Sequence, residues 1–361
     1  MENKITNYYT VEKHLNDVFE KEARQMPAVS NSAEFAMVWQ NAARKKLWEL
    51  LSLNKFSTCE LKPQIVEKYK TKQFIREKVV FNTEEDVKMP AFVMMPAHKS
   101  RKKIPFVLLI PGHGAGKLMM VHAIDYQEVK AACADPEQRE QECLALKLVT
   151  QGYGVVAIDT RGAGERRERW HQSDNPKNFF TCSHDKLNKM AITLGYSLTG
   201  MNVWDAIKTI DYIQNRPEFD GRLFCGGHSG GGMLSLYLSA IDERIQGTFV
   251  SGYFYGFWDA LFRQPNNCAC NFIPNMWRYF DVCDIAAMIA PRPLFIETGD
   301  NDSLNGRKGL DNVLPQVKET KKVYRCFDAE EKLSHVIYSG GHDDGFKRQE
   351  VIEFISRFLR I

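Results

Sequence analysis

A chain of 361 residues with 44% hydrophobic, 11% aromatic and 26% charged types has the apolar content for a full core, which excludes a disordered or low-complexity protein. Its 48 Lys+Arg stand against 45 Asp+Glu, a net charge of +3, too even for the basic footprint that nucleic-acid binding needs, so no nucleic-acid partner is expected. No apolar run approaches the ~18 residues of a membrane span, residues 1–9 lack the pattern of a secretory signal, and nine cysteines without framework spacing read as reduced thiols of a cytoplasmic protein with no membrane partner.

From the N-terminus, Val11, Leu15, Val18, Phe19, then Phe35, Val38, Trp39, Ala42, Leu47, Leu50 and Leu51 recur at helical spacing, which predicts an amphipathic helical stretch over 10–54. This places a helical extension at 1–70 ahead of a catalytic domain at 71–361. Two β-type runs, 73–81 and 91–96, flank the polar stretch 82–88 and predict a hairpin at a sheet edge. From Ile104 onward the apolar runs 106–110, 155–158, 223–225, 248–250, 294–297 and 336–338 alternate with helical patterns. That alternation predicts an α/β fold, a mainly parallel sheet with helices on both faces. The long connections 166–201 and 253–284 read as lid or pocket-wall insertions.

The strongest chemical signal is Gly227-His228-Ser229-Gly230-Gly231, a G-x-S-x-G between the run 223–225 and the helical pattern 233–241. Glycines two positions either side of the serine suit a sharp strand-to-helix turn that exposes Oγ. Serine needs a base and an orienting carboxylate, expected downstream in the order Ser, Asp or Glu, His. Asp302 follows the strand 293–297 in the loop Thr298-Gly299-Asp300-Asn301-Asp302 and is the choice for the acid, with Asp300 as rival or as the cap of the following turn. His342, after the strand 336–338, is the choice for the base. His335 is set aside because it precedes that strand.

Donors for an oxyanion are expected in Gly112-His113-Gly114-Ala115-Gly116 after the strand 106–110, with the N–H groups of Ala115 and Gly230 first and Gly114 as an equal alternative to Ala115. Gly116-Lys117 lacks the leading glycine and the Ser/Thr of a P-loop, and Gly152-Tyr153-Gly154 precedes its strand where a dinucleotide fingerprint would follow one. Cys268-Ala269-Cys270 with Cys283 beyond matches no common zinc spacing, so neither metal nor cofactor is expected. In the second insertion, Tyr253, Trp258 and their aromatic neighbours read as a substrate-facing wall or as lid core, and His113 is a further substrate-binding candidate.

These residues resemble the α/β-hydrolase superfamily, and more narrowly its dienelactone-hydrolase and acetyl-xylan-esterase-like branch, from Ile104 to the C-terminus. Asp159-Thr160-Arg161-Gly162-Ala163-Gly164 is similar to the D-x-R-G-x-G segment of acetyl esterases and cephalosporin deacetylases. Asp211-Tyr212-Ile213 and Ala290-Pro291-Arg292-Pro293-Leu294 are similar to that branch as well. The resemblance implies Ser229 as nucleophile, Asp302 as acid, His342 as base and 113–115 as oxyanion turn. One departure is Gly230, where the deacetylases usually carry Gln.

The expected function is therefore a cofactor-independent serine esterase of short-chain acyl, foremost acetyl, esters of a small molecule or sugar. A prolyl-oligopeptidase-like peptidase is the competing enzyme, although ~100 leading residues are too few for a propeller. A non-catalytic sensor or scaffold on the same fold is the competing class. Arg161 is expected to anchor its loop to a carboxylate or to face the pocket, and a homo-oligomer is left open.

Overall fold

Alternate residues of a strand point to opposite faces, so a strand buried on both sides must be apolar throughout. The segment Ile104–Ile110 has that character and is wholly buried: Phe106, Leu108 and Ile110 enter one core, Val107 and Leu109 the other. The computed structural model describes residues 7–98, 103–114, 116–133, 135, 143–264, 267–342 and 349–361. Its strands are β1 Gln64–Lys70, β2 Phe74–Glu84, β3 Val87–Pro96, β4 Ile104–Ile110, β5 Gly154–Ile158, β6 Phe219–His228, β7 Gly247–Ser251, β8 Leu294–Gly299 and β9 Leu333–Tyr338. They form one sheet in the order β1-β2-β3-β5-β4-β6-β7-β8-β9.

The first three strands and the β3–β5 pair are antiparallel, and β5, β4, β6, β7, β8 and β9 run parallel. This is the α/β-hydrolase architecture. The hairpin expected around 73–96 is β2–β3, and β1, inside the 1–70 stretch, adds the edge strand. His335 does not precede the last strand; it lies within β9, paired with Ile296, because the polar Ser334-His335 pair continues the ladder despite its composition.

The helices are α1 Glu12–Glu22, α2 Ala33–Leu50, α3 Gln127–Ala132, α4 Leu144–Thr150, α5 His184–Thr193, α6 Leu198–Gln214, α7 Gly230–Ile241, α8 Met276–Tyr279, α9 Val282–Ala287, α10 Leu310–Cys326 and α11 Gln349–Phe358. One face of the sheet is covered by α2, α6, α7 and α9, with Trp39, Leu47, Trp204, Leu236 and Ile285 in the core. The other is covered by α4 and α11 through Leu148, Val149, Ile352 and Phe354. No helix among the described residues is long and apolar enough to cross a membrane.

The N-terminal segment docks on the second insertion. Arg24 grips Asp284 through Nε at 2.9 Å and Nη2 at 2.8 Å, and the backbone N–H groups of Arg24, Gln25 and Met26 donate to the carbonyls of Trp277, Arg278 and Tyr279. Gln40 donates to the carbonyls of Ala287 and Ala290. Helix α1 buries no residue; it touches the body through Phe19, stacked on Trp258 with centroids 4.2 Å apart.

Candidate active site

Ser229 stands between β6 and α7 at φ 57° and ψ −124°, a left-handed backbone that a residue with a Cβ adopts only when its surroundings hold it there. Those surroundings are tight. The Ser229 N–H donates to the Ser251 carbonyl of β7 at 2.8 Å, and a Cβ at Gly231 would stand 2.0 Å from the Ile110 carbonyl oxygen, one at Gly227 2.3 Å from the same atom. The two glycines of G-x-S-x-G are thus required by the close passage of β4 behind the turn. Gly230 is the first residue of α7, so its N–H has no intrahelical acceptor and points out of the helix start.

The loops after β8 and β9 continue the parallel ladder past its last strand pair, Gly299 with Tyr338. Asp300 N–H donates to the Tyr338 carbonyl at 2.9 Å and Asn301 N–H to that of Gly340 at 3.0 Å. This register sets Asp302 opposite His342, with Asp302 Oδ2 2.7 Å from His342 Nδ1. The buried Asp302 carboxylate also accepts from Leu304 N–H at 2.8 Å, so the cap of the following turn is Asp302 and not Asp300. Asp300 instead accepts from Gly340 N–H at 2.9 Å and from the Asn301 amide at 2.8 Å. It braces the two loops from outside.

The His342 ring lies beside Gly252, the residue after β7. A Cβ there would stand 3.1 Å from His342 Cε1 and 2.8 Å from His228 Cε1. The His228 and His342 rings lie with centroids 4.7 Å apart, and His228 Nδ1 is 3.0 Å from Ser251 Oγ. His228 and Ser251 are neighbours of the site that the motif does not announce, since the second position of G-x-S-x-G is unrestricted.

The turn after β4 is held by a buried charge cluster. Lys117, fully buried, donates from Nζ to Asp159 at 2.6 Å and to Glu165, and its backbone N–H donates to Asp159 at 2.7 Å. Burial opposes the Lys117 charge, but Asp159 and Glu165 outweigh it and hold the ammonium above its ordinary range. Gly116-Lys117 is thus a structural anchor whose signal lay in the D-x-R-G-x-G segment it pairs with. Ala115, an expected oxyanion donor, lies outside the described residues. Gly114, at φ 74°, is pressed against the Phe180 carbonyl, 2.1 Å from where a Cβ would be.

Arg161 anchors its loop: Nε and Nη2 each donate to Asp205 at 2.8 Å, and Nη2 to Glu84 at 2.6 Å. Burial works against the Asp205 charge, yet Arg166 and Arg161 together hold that carboxyl well below the usual range. The aromatic residues of the second insertion pack among themselves. Tyr253 is buried against Tyr255, centroids 5.0 Å apart, and Trp258 stacks between Phe19 and Phe262. Trp258 therefore takes part in the packing that seats the N-terminal helix. His113 is likewise engaged, with Nε2 2.9 Å from Cys270 Sγ. Cys283 is buried in α9 and is not grouped with Cys268 and Cys270.

A model of the Abhydrolase family matches residues 2–306. The chain belongs to that family. "Putative hydrolase YtaP" of Bacillus subtilis (strain 168) is 26% identical over 281 residues, covering 75% of this chain and 84% of that protein. Among solved structures, the "putative acetyl xylan esterase" of Bacteroides fragilis NCTC 9343 superposes with a TM-score of 0.75 at 19% identity, over 92% of this chain and 83% of that one. A glucuronoyl esterase from Solibacter usitatus gives 0.62 at 15% identity, over 90% and 94%. At such identities the shared property is the fold. The Abhydrolase-family match takes in Ser229 and Asp302, whereas His342 lies beyond it and enters the site through the β8–β9 register.

Proposed function

We propose that this chain is a serine esterase in which Ser229 is the nucleophile, His342 the general base and Asp302 the carboxylate that orients it. The observation that carries the reading is the 2.7 Å contact of Asp302 Oδ2 with His342 Nδ1, with the His342 ring beside His228, the residue that precedes Ser229. With Nδ1–H donated to Asp302, the other ring nitrogen keeps a lone pair for the Ser229 proton. Oγ then attacks the ester carbonyl, the alcohol leaves with the proton held by His342, and water activated by the same imidazole releases the acid from the acyl-enzyme. The N–H of Gly230 and one from the 114–115 turn would face the oxyanion.

Esters of small molecules or sugars are the substrate class this reading favours, with short acyl groups such as acetyl foremost. The names of the acetyl xylan esterase and glucuronoyl esterase neighbours support it. Nine cysteines that are all free thiols support a reducing, cytoplasmic setting. Hydrolysis of 4-nitrophenyl acetate and butyrate by the wild type, abolished in Ser229→Ala, is the test. Cleavage of aminoacyl-anilides without aryl-acetate turnover would assign a peptidase instead.

A further inference from the structure

His113, His184, Cys268 and Cys270 come from the turn after β4, the first residue of α5 and the second insertion, three segments far apart in sequence. Their ligand atoms all lie within 4.8 Å of one another. The His113 and His184 rings meet edge to face, centroids 5.2 Å apart. His184 and Cys270 are buried. His184 Nε2 lies 3.3 Å from Thr160 Oγ1, while its buried Nδ1 has no hydrogen-bond partner among the described residues. An imidazole nitrogen left unpaired in the interior is costly, and the Cys268 thiol lies within reach of this ring.

The backbone between the two cysteines is held in place by the helices around it. Ala269 N–H donates to Asp185 at 2.7 Å, the Ala269 carbonyl accepts from the Asn188 amide at 2.6 Å, and the Cys270 carbonyl accepts from Thr199 Oγ1 at 2.7 Å. Asp185 and Asn188 sit on α5, the helix that carries His184. The thiol pair and that imidazole are therefore fixed to one support.

We propose that His113, His184, Cys268 and Cys270 bind one zinc ion that staples the turn after β4 to both insertions. Two imidazoles and two thiolates form a tetrahedral zinc set, and hard oxygen-seeking cations would not select it. Donors at zinc bond lengths of about 2.0–2.3 Å stand ~3.3–3.8 Å apart, so the longest separation needs to close by about 1 Å. Binding releases the two thiol protons to solvent as the zinc–sulfur bonds form, with no change of oxidation state. Four protein ligands leave no open position for water, which makes the ion structural and not hydrolytic. A Cβ at Gly230 would lie 2.6 Å from the His113 ring, so an ion on His113 also fixes the neighbour of the elbow. The zinc inference stands apart from the esterase reading, and either can fail alone.

The test is metal content of the full chain produced in zinc-supplemented medium and desalted. Close to one equivalent of zinc per chain is expected, and cobalt exchanged into the site should show the charge-transfer absorption of thiolate ligands. Cys268→Ser/Cys270→Ser should lose the metal while circular dichroism reports a folded chain, and Cys326→Ser should keep it. Should the double variant not fold, the cobalt spectrum of the wild type decides: thiolate charge transfer supports the site, its absence overturns it. Wild type that stays folded and retains less than about a tenth of an equivalent after exposure to excess zinc overturns it too, as does a double variant with unchanged zinc.

Discussion

Asp302 and His342, forty residues apart, face each other at 2.7 Å, while Asp300, two residues from Asp302, holds the backbone of Gly340 from the far side of the same loop. The two carboxylates of one loop thus have separate tasks. Asp302→Asn removes the acceptor that fixes the imidazole tautomer, and kcat on 4-nitrophenyl acetate should fall by about a thousandfold to ten-thousandfold. Asp300→Asn should stay within about tenfold of wild type, as a loop brace. Equal losses in the two variants would contradict this division.

Lys117 is buried between Asp159 and Glu165. Lys117→Met keeps the volume and removes the charge, leaving Asp159 buried without its cation, and should lower unfolding stability by about 3–5 kcal/mol. Urea denaturation of the two proteins gives that difference. A change below about 1 kcal/mol would show that the ion pair only breaks even with an apolar side chain.

Trp258 stacks on Phe19 at 4.2 Å and on Phe262 at 3.9 Å. Since α1 buries no residue of its own, Trp258→Ala should free that helix at a cost of about 1–2 kcal/mol. Limited proteolysis should then cut between residues 12 and 22 several times faster, with KM on aryl acetates within about twofold of wild type. A large KM change with unaltered proteolysis would return Trp258 to the substrate wall.

His335, half-buried in β9 with Nε2 3.1 Å from Thr298 Oγ1, is pushed by burial, with help from Lys321, from 6.5 down to about 4. Below the ordinary histidine value the unfolded chain takes up the proton first. Its contribution is therefore fully present above about pH 6.5 and is lost as pH falls toward about 4, by about 2 kcal/mol after allowance for partial exposure. His335→Gln should flatten the stability profile across that window in pH-dependent thermal melts. A profile of unchanged slope would place the acid sensitivity elsewhere.

The parallel sheet, the hairpin and the elbow are legible in the sequence because each rests on local spacing: apolar runs buried on both faces, a polar stretch between β-type runs, glycines at fixed offsets from Ser229. Local pattern also placed Asp302 and His342 in loops at strand ends, without deciding between Asp302 and Asp300. That decision belongs to the β8–β9 register, which determines the carboxylate that meets the ring. Chain proximity likewise grouped Cys283 with Cys268 and Cys270. The fold instead buries Cys283 in α9 and brings His113 and His184 to the pair, because the insertions fold over the turn after β4. Trp258 had only its aromatic character to show in sequence, and its partner Phe19 lies more than two hundred residues upstream. Backbone spacing is a property of neighbours along the chain, whereas the partner of a carboxylate, a thiol or a ring is set by which segments the buried core packs side by side.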